Sequence, residues 1–75
     1  MKLREFNFNS LKNLFALINL CVMDGRVSYE GVSIGDTLRM LPIELADRKI
    51  KETRWFFNTF VIELEQEVGI EDAVD

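Results

Sequence analysis

The chain has 75 residues, the size of one small domain, since compact domains usually run to about 50–200 residues. Apolar residues make up 48% and charged residues 29%, which excludes the low-hydrophobicity, high-charge composition of disordered chains. The absence of histidine excludes imidazole-based catalytic dyads and zinc sites, and the single cysteine, Cys21, excludes an intramolecular disulfide and predicts a reducing, cytoplasmic location.

The segment before residue 24 supports two interpretations. Apolar residues recur at helical spacing after a possible cap at Asn9 or Ser10, so one interpretation is a single helix over 11–23. The other, which we favour, is a helix over 10–16 followed by a strand, because the next residues are typical of the turn and second strand of a hairpin. The apolar run over 14–23 is about half the length that a bilayer-spanning helix needs, and no signal peptide is expected.

Asp24-Gly25 predicts the first hairpin, because a type I′ turn needs positive φ at both central positions and Asp-Gly tolerates this well. A short helix follows this hairpin, and Pro42 ends it because the residue before a proline is pushed out of the helical region. The predicted strands are 18–23 and 26–29, and the predicted helix is 35–41.

A second hairpin is predicted over 49–65, which is rich in aromatic and β-branched residues and has Asn58-Thr59 at its centre. If Phe57 pairs with Phe60, apolar and charged residues separate onto opposite faces. This register also pairs Trp55 with Ile62, Thr53 with Leu64, Arg54 with Glu63 and Glu52 with Glu65. The expected fold is therefore a single α+β domain over 1–75, in which a short N-terminal helix packs on an antiparallel sheet made of two hairpins joined by a short helix.

Three consecutive aromatic residues, Trp55-Phe56-Phe57, cannot all face one side of a strand. We expect Phe56 to pack under the N-terminal helix. The alternative is an exposed aromatic anchor at the hairpin tip, since Trp, Tyr and Phe are enriched in interface cores. Tyr29 and Glu30, at the end of the first hairpin, are a second candidate contact.

The C-terminal end carries charge of one sign. Residues 1–54 contain nine basic and seven acidic side chains, whereas 55–75 contain six acidic side chains and no basic one. Nucleic-acid affinity comes largely from Lys and Arg, so this distribution favours binding a protein over binding DNA or RNA directly. We expect residues 66–75 to form a flexible acidic tail, and the candidate acidic contacts are Glu63, Glu65, Glu67, Glu71 and Asp72.

No residue pattern predicts catalysis, a metal or a cofactor. Cys21 lies in an apolar run, where an inert thiol is the expected state. Carboxylate pairs along 63–67 are more typical of a solvated strand face than of a cation site, which needs converging ligands. The basic residues of 48–54 lie beside aromatic residues, as in some single-strand binders, but acidic cross-strand neighbours are the simpler explanation for them. They are Arg48, Lys49, Lys51 and Arg54.

A family resemblance adds to this interpretation over about residues 18–65. It is carried by Val22-Met23-Asp24-Gly25-Arg26-Val27-Ser28-Tyr29-Glu30-Gly31, Gly35-Asp36-Thr37-Leu38, Leu41-Pro42-Ile43-Glu44-Leu45 and Phe60-Val61-Ile62-Glu63-Leu64. The pattern resembles short acidic proteins encoded by bacteriophages and mobile elements. The resemblance implies a bacterial host cytosol and similarity to inhibitors of host nucleic-acid machinery, including anti-CRISPR proteins that fill a DNA-binding cleft with carboxylates.

These observations favour a non-catalytic inhibitor or modulator that binds a host nucleic-acid-handling protein through an acidic face, with Trp55 or Phe57 as anchors. The alternative is a self-associating accessory protein with a homodimer interface over 14–23, since a chain this short gains stability by association. A small nucleic-acid binder using the basic residues of 48–54 comes third.

Overall fold

The computed structural model describes residues 1–12 and 18–66. It contains a four-stranded sheet with helices on one face. The strands are β1 (Asn19–Asp24), β2 (Val27–Glu30), β3 (Ile50–Phe56) and β4 (Thr59–Leu64); the helices are α1 (Asn9–Lys12) and α2 (Ile34–Met40), with 3₁₀ helices at Leu3–Glu5 and Ile43–Asp47. The predicted α+β class and the two hairpins joined by a short helix are confirmed. None of the described helices is long and apolar enough to cross a membrane.

The sheet is mixed, whereas a wholly antiparallel sheet was predicted. Its order is β2-β1-β4-β3, and the two hairpins join through β1 and β4, which run parallel. Leu20 lies opposite Phe60 and Val22 opposite Ile62 in this central pair. Both strands are therefore internal, which accounts for the full burial of Leu20 and Ile62.

The first hairpin begins one residue later than predicted. Asp24 pairs with Val27, so the two turn residues are Gly25 and Arg26. Of the two, only Gly25 has a positive φ, 65°, which is a feature of the type II′ turn and not of the predicted type I′. Because β1 covers Asn19–Asp24, the single-helix interpretation of 11–23 is wrong; most of the predicted helix over 10–16 lies outside the described residues.

The second hairpin has the predicted strands and a different register. Phe56 pairs with Thr59, which leaves Phe57 and Asn58 as the turn, and Trp55 lies opposite Phe60. Every partner on β4 is thus two residues earlier than expected. A shift of two keeps each side chain on its predicted face, because side chains alternate with a period of two. The observed pairs further along are Arg54 with Val61, Thr53 with Ile62 and Glu52 with Glu63.

Helix α2 begins at a cap and ends before Pro42. The Ser33 hydroxyl accepts a hydrogen bond from the Asp36 amide at 3.2 Å, and Leu41 is already extended, with φ −72° and ψ 134°. The helix is held to the sheet by Thr37, which is fully buried. Its hydroxyl donates to the Leu20 carbonyl and accepts from the Gly31 amide, both at 2.8 Å.

One hydrophobic core lies between the sheet and the helices. Each described helical segment contributes a buried side chain to it, and β1 and β4 contribute alternate residues. Since Ile18, Leu20 and Val22 point into this core, they are not available for the dimer interface predicted over 14–23; residues 14–17 lie outside the described part of the chain. The core residues are Leu3, Leu11, Ile18, Leu20, Val22, Ile34, Leu45, Phe60, Ile62 and Leu64.

Candidate interaction surface

The turn of the second hairpin exposes an aromatic cluster, which we call the aromatic tip and define as Trp55, Phe56 and Phe57. Their exposed fractions rise toward the turn, from 44% to 65% and 87%. The prediction that Phe56 packs under the N-terminal helix is wrong. The alternation along β3 explains this: Phe56 lies opposite Thr59, on the sheet face away from the helices.

The backbone at the aromatic tip is strained. Phe57 has φ +57°, and it is the only non-glycine residue with positive φ in the described ranges. Bulky residues rarely adopt this conformation, which glycine or asparagine tolerates far better. Such strain persists only when the surrounding structure imposes it, and it is concentrated at functional sites.

Contacts with the rest of the sheet hold the aromatic tip in place. The Trp55 ring meets the buried Phe60 ring edge-on at 5.0 Å between centroids, and the Phe56 and Phe57 rings meet edge-on at 4.6 Å. The Asn19 amide donates to the Asn58 carbonyl at 3.0 Å, which ties the turn to the start of β1. The three rings are therefore exposed yet positioned by neighbouring residues.

Beside the aromatic tip lies a shallow groove of about 400 Å³ on the sheet face opposite the core, which we call the open face. Its floor is formed by Cys21 and Met23 of β1 and by Val61 of β4. No helix among the described residues covers this face. The groove and the aromatic tip together form one continuous, largely apolar surface.

Arg54 crosses the open face. It projects from β3, opposite Val61, and its Nη2 lies 3.6 Å from the Met23 sulfur on β1. Its Nη1 bonds to a carboxylate oxygen of Glu52 at 2.9 Å and of Glu63 at 3.4 Å. The guanidinium thus covers Val61, which is 7% exposed, and forms the polar border of the groove.

The predicted acidic contacts differ in burial and in pairing. Glu63 is half-buried on the open face and is paired with Arg54 and with Lys51, whose Nζ lies 3.9 Å from its second oxygen. Glu65 is exposed just after β4, and its carbonyl accepts hydrogen bonds from Arg48. Glu67, Glu71 and Asp72 lie outside the described residues.

Tyr29 and Glu30 do not share one surface. Tyr29 is half-buried and packs against the core, opposite Val22. Glu30 is exposed on the other face and lines the groove. Its carboxylate accepts a hydrogen bond from the side-chain amide of Asn19 at 3.2 Å. Glu30 therefore belongs to the candidate surface, and Tyr29 belongs mainly to the core.

The described residues are balanced in charge. They contain nine acidic and nine basic side chains, so the net charge of −4 comes from the four acidic residues of 67–75. The flexible tail predicted over 66–75 lies outside the described residues, except for its first residue. Its described residue, Gln66, donates to the Asp24 carboxylate at 3.3 Å.

Three of the four basic residues of 48–54 have acidic partners, and for Lys51 and Arg54 the partner is the predicted kind, an acidic residue on the neighbouring strand. Arg48 pairs with Asp24 at 2.7 Å and also binds the Glu65 carbonyl, so it joins the two hairpins at the end away from the aromatic tip. Lys51 and Arg54 pair with Glu63. A nucleic-acid phosphate would have to displace carboxylates from three of these four side chains, which counts against the nucleic-acid interpretation.

Cys21 is half-buried on the floor of the groove. Burial, and secondarily the negative charge of Glu30, raises the pKa of its thiol above the usual value, although Arg54 acts in the opposite sense. A raised pKa means less thiolate at neutral pH and a poorer nucleophile. Among residues 1–12 and 18–66, no three Cys, Asp or Glu side chains lie close enough together to hold a metal ion.

Trp55 and Phe57 were predicted from the sequence as contact residues, whereas Phe56 and Arg54 were not predicted as parts of the same surface. The missing information was the register, since a shift of two residues in the turn decides which residues stand at the tip. Comparison with protein-family models, with curated proteins and with solved structures finds no match to this chain. The resemblance to phage proteins therefore stays a prediction.

Proposed function

We propose that this protein acts by binding another protein through the aromatic tip and the adjoining groove of the open face. The observation that carries the proposal is Phe57, whose ring is 87% exposed while its backbone is held at φ +57°. An exposed ring in a conformation that costs about 1–3 kcal/mol is unfavourable for folding, so a role outside the fold accounts for it best.

The chemistry of the surface suits a protein partner. Aromatic side chains are enriched at interface hot spots, where a few buried rings supply most of the binding energy. The groove floor of Cys21, Met23 and Val61 offers an apolar pocket, and Arg54 and Glu30 at its border offer charge-assisted hydrogen bonds. This combination of an apolar centre with a polar rim is typical of protein interfaces.

The net charge of the chain indicates a class of partner. A host nucleic-acid-handling protein with a basic cleft is the partner that the overall charge of −4 favours, since complementary fields raise association rates. Within this proposal, the aromatic tip anchors the complex and the acidic residues of 67–75 steer it. Glu63 contributes little to the steering, because Arg54 and Lys51 already neutralise it.

The test begins with affinity capture from a bacterial lysate by the tagged protein, with nuclease treatment and at low and high salt. The dissociation constant for the recovered partner is then measured with the wild type and with Phe57→Asn. Asparagine tolerates positive φ, so the variant should fold at least as stably as the wild type. Loss of a hot-spot ring should weaken binding about 30-fold, the equivalent of about 2 kcal/mol.

Ile43→Asn is the matched control, because Ile43 is also apolar and 87% exposed but belongs to the second 3₁₀ helix, away from the aromatic tip. It should leave the affinity unchanged. Unchanged binding by Phe57→Asn would refute the anchoring role. A chain ending at Gln66 tests the steering role, and it should associate more slowly with a weaker dependence on salt. If its association rate and salt dependence match the wild type, the acidic part of the proposal is wrong.

A further inference from the structure

Strand β3 forms one edge of the sheet, and only its beginning is covered. The Ile50 amide donates to the Met1 carbonyl and the Leu3 amide donates to the Arg48 carbonyl, both at 2.9 Å. Lys2 and Lys49 form an isolated antiparallel bridge between these bonds. Beyond this point, residues 51–56 have β4 on one side and no strand among the described residues on the other.

The uncovered part of the edge is long for a free edge. It spans six residues, and all of their side chains are exposed. Free edges present unpaired N–H and C=O groups and are templates for another strand. Proteins often protect them with charge, and this edge carries Lys51, Glu52 and Arg54. The order of these charges decides what the edge can pair with.

The sequence of β3 is self-complementary in one antiparallel register. When Thr53 lies opposite Thr53 of a second copy, Glu52 lies opposite Arg54 of that copy, and the reverse pair forms by symmetry. Glu52 and Arg54 already stand on the open face with their charged groups 2.9 Å apart. Across the two-fold axis they would form an alternating square of four charges, in which each guanidinium adjoins two carboxylates.

The match is confined to Glu52, Thr53 and Arg54. The register of β3 against β4 shifts between Ile50 and Glu52, and the Lys51 ammonium group pairs with Glu63 on the open face, so Lys51 does not continue the regular alternation. Shifting the centre to residue 52 places two Glu52 side chains opposite each other, and shifting it to residue 54 does the same with two Arg54 side chains. Like charges directly opposite are destabilising, so the charge order selects the register centred on Thr53.

We propose that the free edge of β3 is a homodimer interface, in which residues 52–54 pair antiparallel with residues 52–54 of a second copy around a two-fold axis at Thr53. The register shift at Lys51 and the Met1–Leu3 segment, which occupies the edge at Ile50, limit the pairing at the start of the strand. The two sheets become one of eight strands. The interface is small, which is typical of weak and reversible association.

This dimer leaves Phe56 and Phe57 of the aromatic tip outside the paired residues and presents two copies of them. The two Phe57 residues lie eight positions apart along the paired strands, a separation of about 26 Å at about 3.3 Å per residue. The aromatic tips therefore stand at opposite ends of the interface. The homodimer does not depend on the proposed function, and a monomer could still bind its partner through one tip.

Sedimentation velocity over about 10 µM to 1 mM tests the association, since weak dimers form in this range. The wild type should approach twice the chain mass of 8.7 kDa. Glu52→Arg and Arg54→Glu each place like charges in both symmetric pairs, so each should weaken dimerisation at least about tenfold. An equimolar mixture of the two variants restores opposite charges in both pairs and should form a heterodimer.

A cross-linking experiment tests the register independently, in a Cys21→Ser background so that no native thiol takes part. Residues directly opposite have Cβ atoms about 4.5–5.5 Å apart, close to the distance a disulfide needs. Thr53→Cys should therefore form a disulfide with itself under mild oxidation. Lys51→Cys is the matched control, because two such residues would lie four positions apart, about 13 Å.

Three outcomes would overturn the proposal. They are a wild type that is monomeric throughout the concentration range, a mixture of the two charge variants no more associated than either alone, and equal cross-linking of the two cysteine variants. A monomer would mean that the charges of β3 protect the edge from association.

Discussion

Replacing Thr37 by valine should destabilise the fold strongly, although the two side chains have nearly the same shape. The Thr37 hydroxyl is fully buried and joins the Leu20 carbonyl to the Gly31 amide through two hydrogen bonds of 2.8 Å. Valine leaves both groups without this partner, and an unsatisfied buried polar group costs about 1–3 kcal/mol. Because the Gly31 amide is only partly buried, we expect a total loss of about 2–3 kcal/mol.

This loss is large for a domain of this size, since small proteins are stable by only about 5–15 kcal/mol. At about 4–8 °C per kcal/mol, the melting temperature should fall by about 10–20 °C. The assay is urea unfolding followed by far-ultraviolet circular dichroism and by the fluorescence of Trp55, the only tryptophan.

Thr37→Ser is the matched control. Serine keeps the hydroxyl and loses one methyl group, which should cost about 1 kcal/mol. We expect the valine variant to be clearly less stable than the serine variant. If Thr37→Val is as stable as Thr37→Ser, the hydroxyl does not hold α2 to the sheet, and the methyl group is what matters at this position.

Two further predictions use the same protein without a partner. Gly31→Ala should destabilise by about 1–3 kcal/mol in the urea assay, because its Cβ would stand 2.6 Å from the Asp36 Cβ. Gly35→Ala is the comparison: its nearest neighbour would be the end of the Arg39 side chain at 3.5 Å, and alanine favours a helix, so equal effects at both sites would contradict the contact argument. Iodoacetamide should alkylate Cys21 more slowly in the folded protein than in urea at the same pH, because burial raises the thiol pKa and lowers the thiolate fraction. Equal rates would show that the groove floor leaves the thiol unperturbed.

The sequence predicted the local elements of the fold well. Both hairpins and α2 lie within a residue or two of their expected positions, because Gly25, Pro42 and the alternation along β3 are signals within one short segment. The N-terminal cap of α2 was not predicted, because Ser33 lies before the predicted helix over 35–41. Its signal was present, because a serine three residues before an aspartate is a common helix start.

The long-range features could not be predicted in this way. Nothing local to β1 or β4 indicates that they pair in parallel, since the alternation of each strand is compatible with either direction. The register of the second hairpin failed for a related reason: Asn58-Thr59 is the better turn by residue preference, whereas the fold places Phe57 at positive φ. The predicted site was affected most, because Phe56 follows the alternation of β3 onto the face away from the helices and Arg54 has Met23 as a neighbour on another hairpin.

The parallel pairing of β1 with β4 sets the order in which the protein can assemble during synthesis. Leu20 of β1 has Phe60 as its neighbour, and about 40 residues must be translated between them. At about 5–20 residues per second, β4 is synthesised about 2–8 s after β1, and until then the edge of β1 that pairs with β4 is unpaired. In that interval the first hairpin, which forms in about 1–10 µs, exposes Leu20 and Val22 on a bare edge. The nascent chain is therefore most prone to aggregation between the synthesis of the first hairpin and that of Leu64.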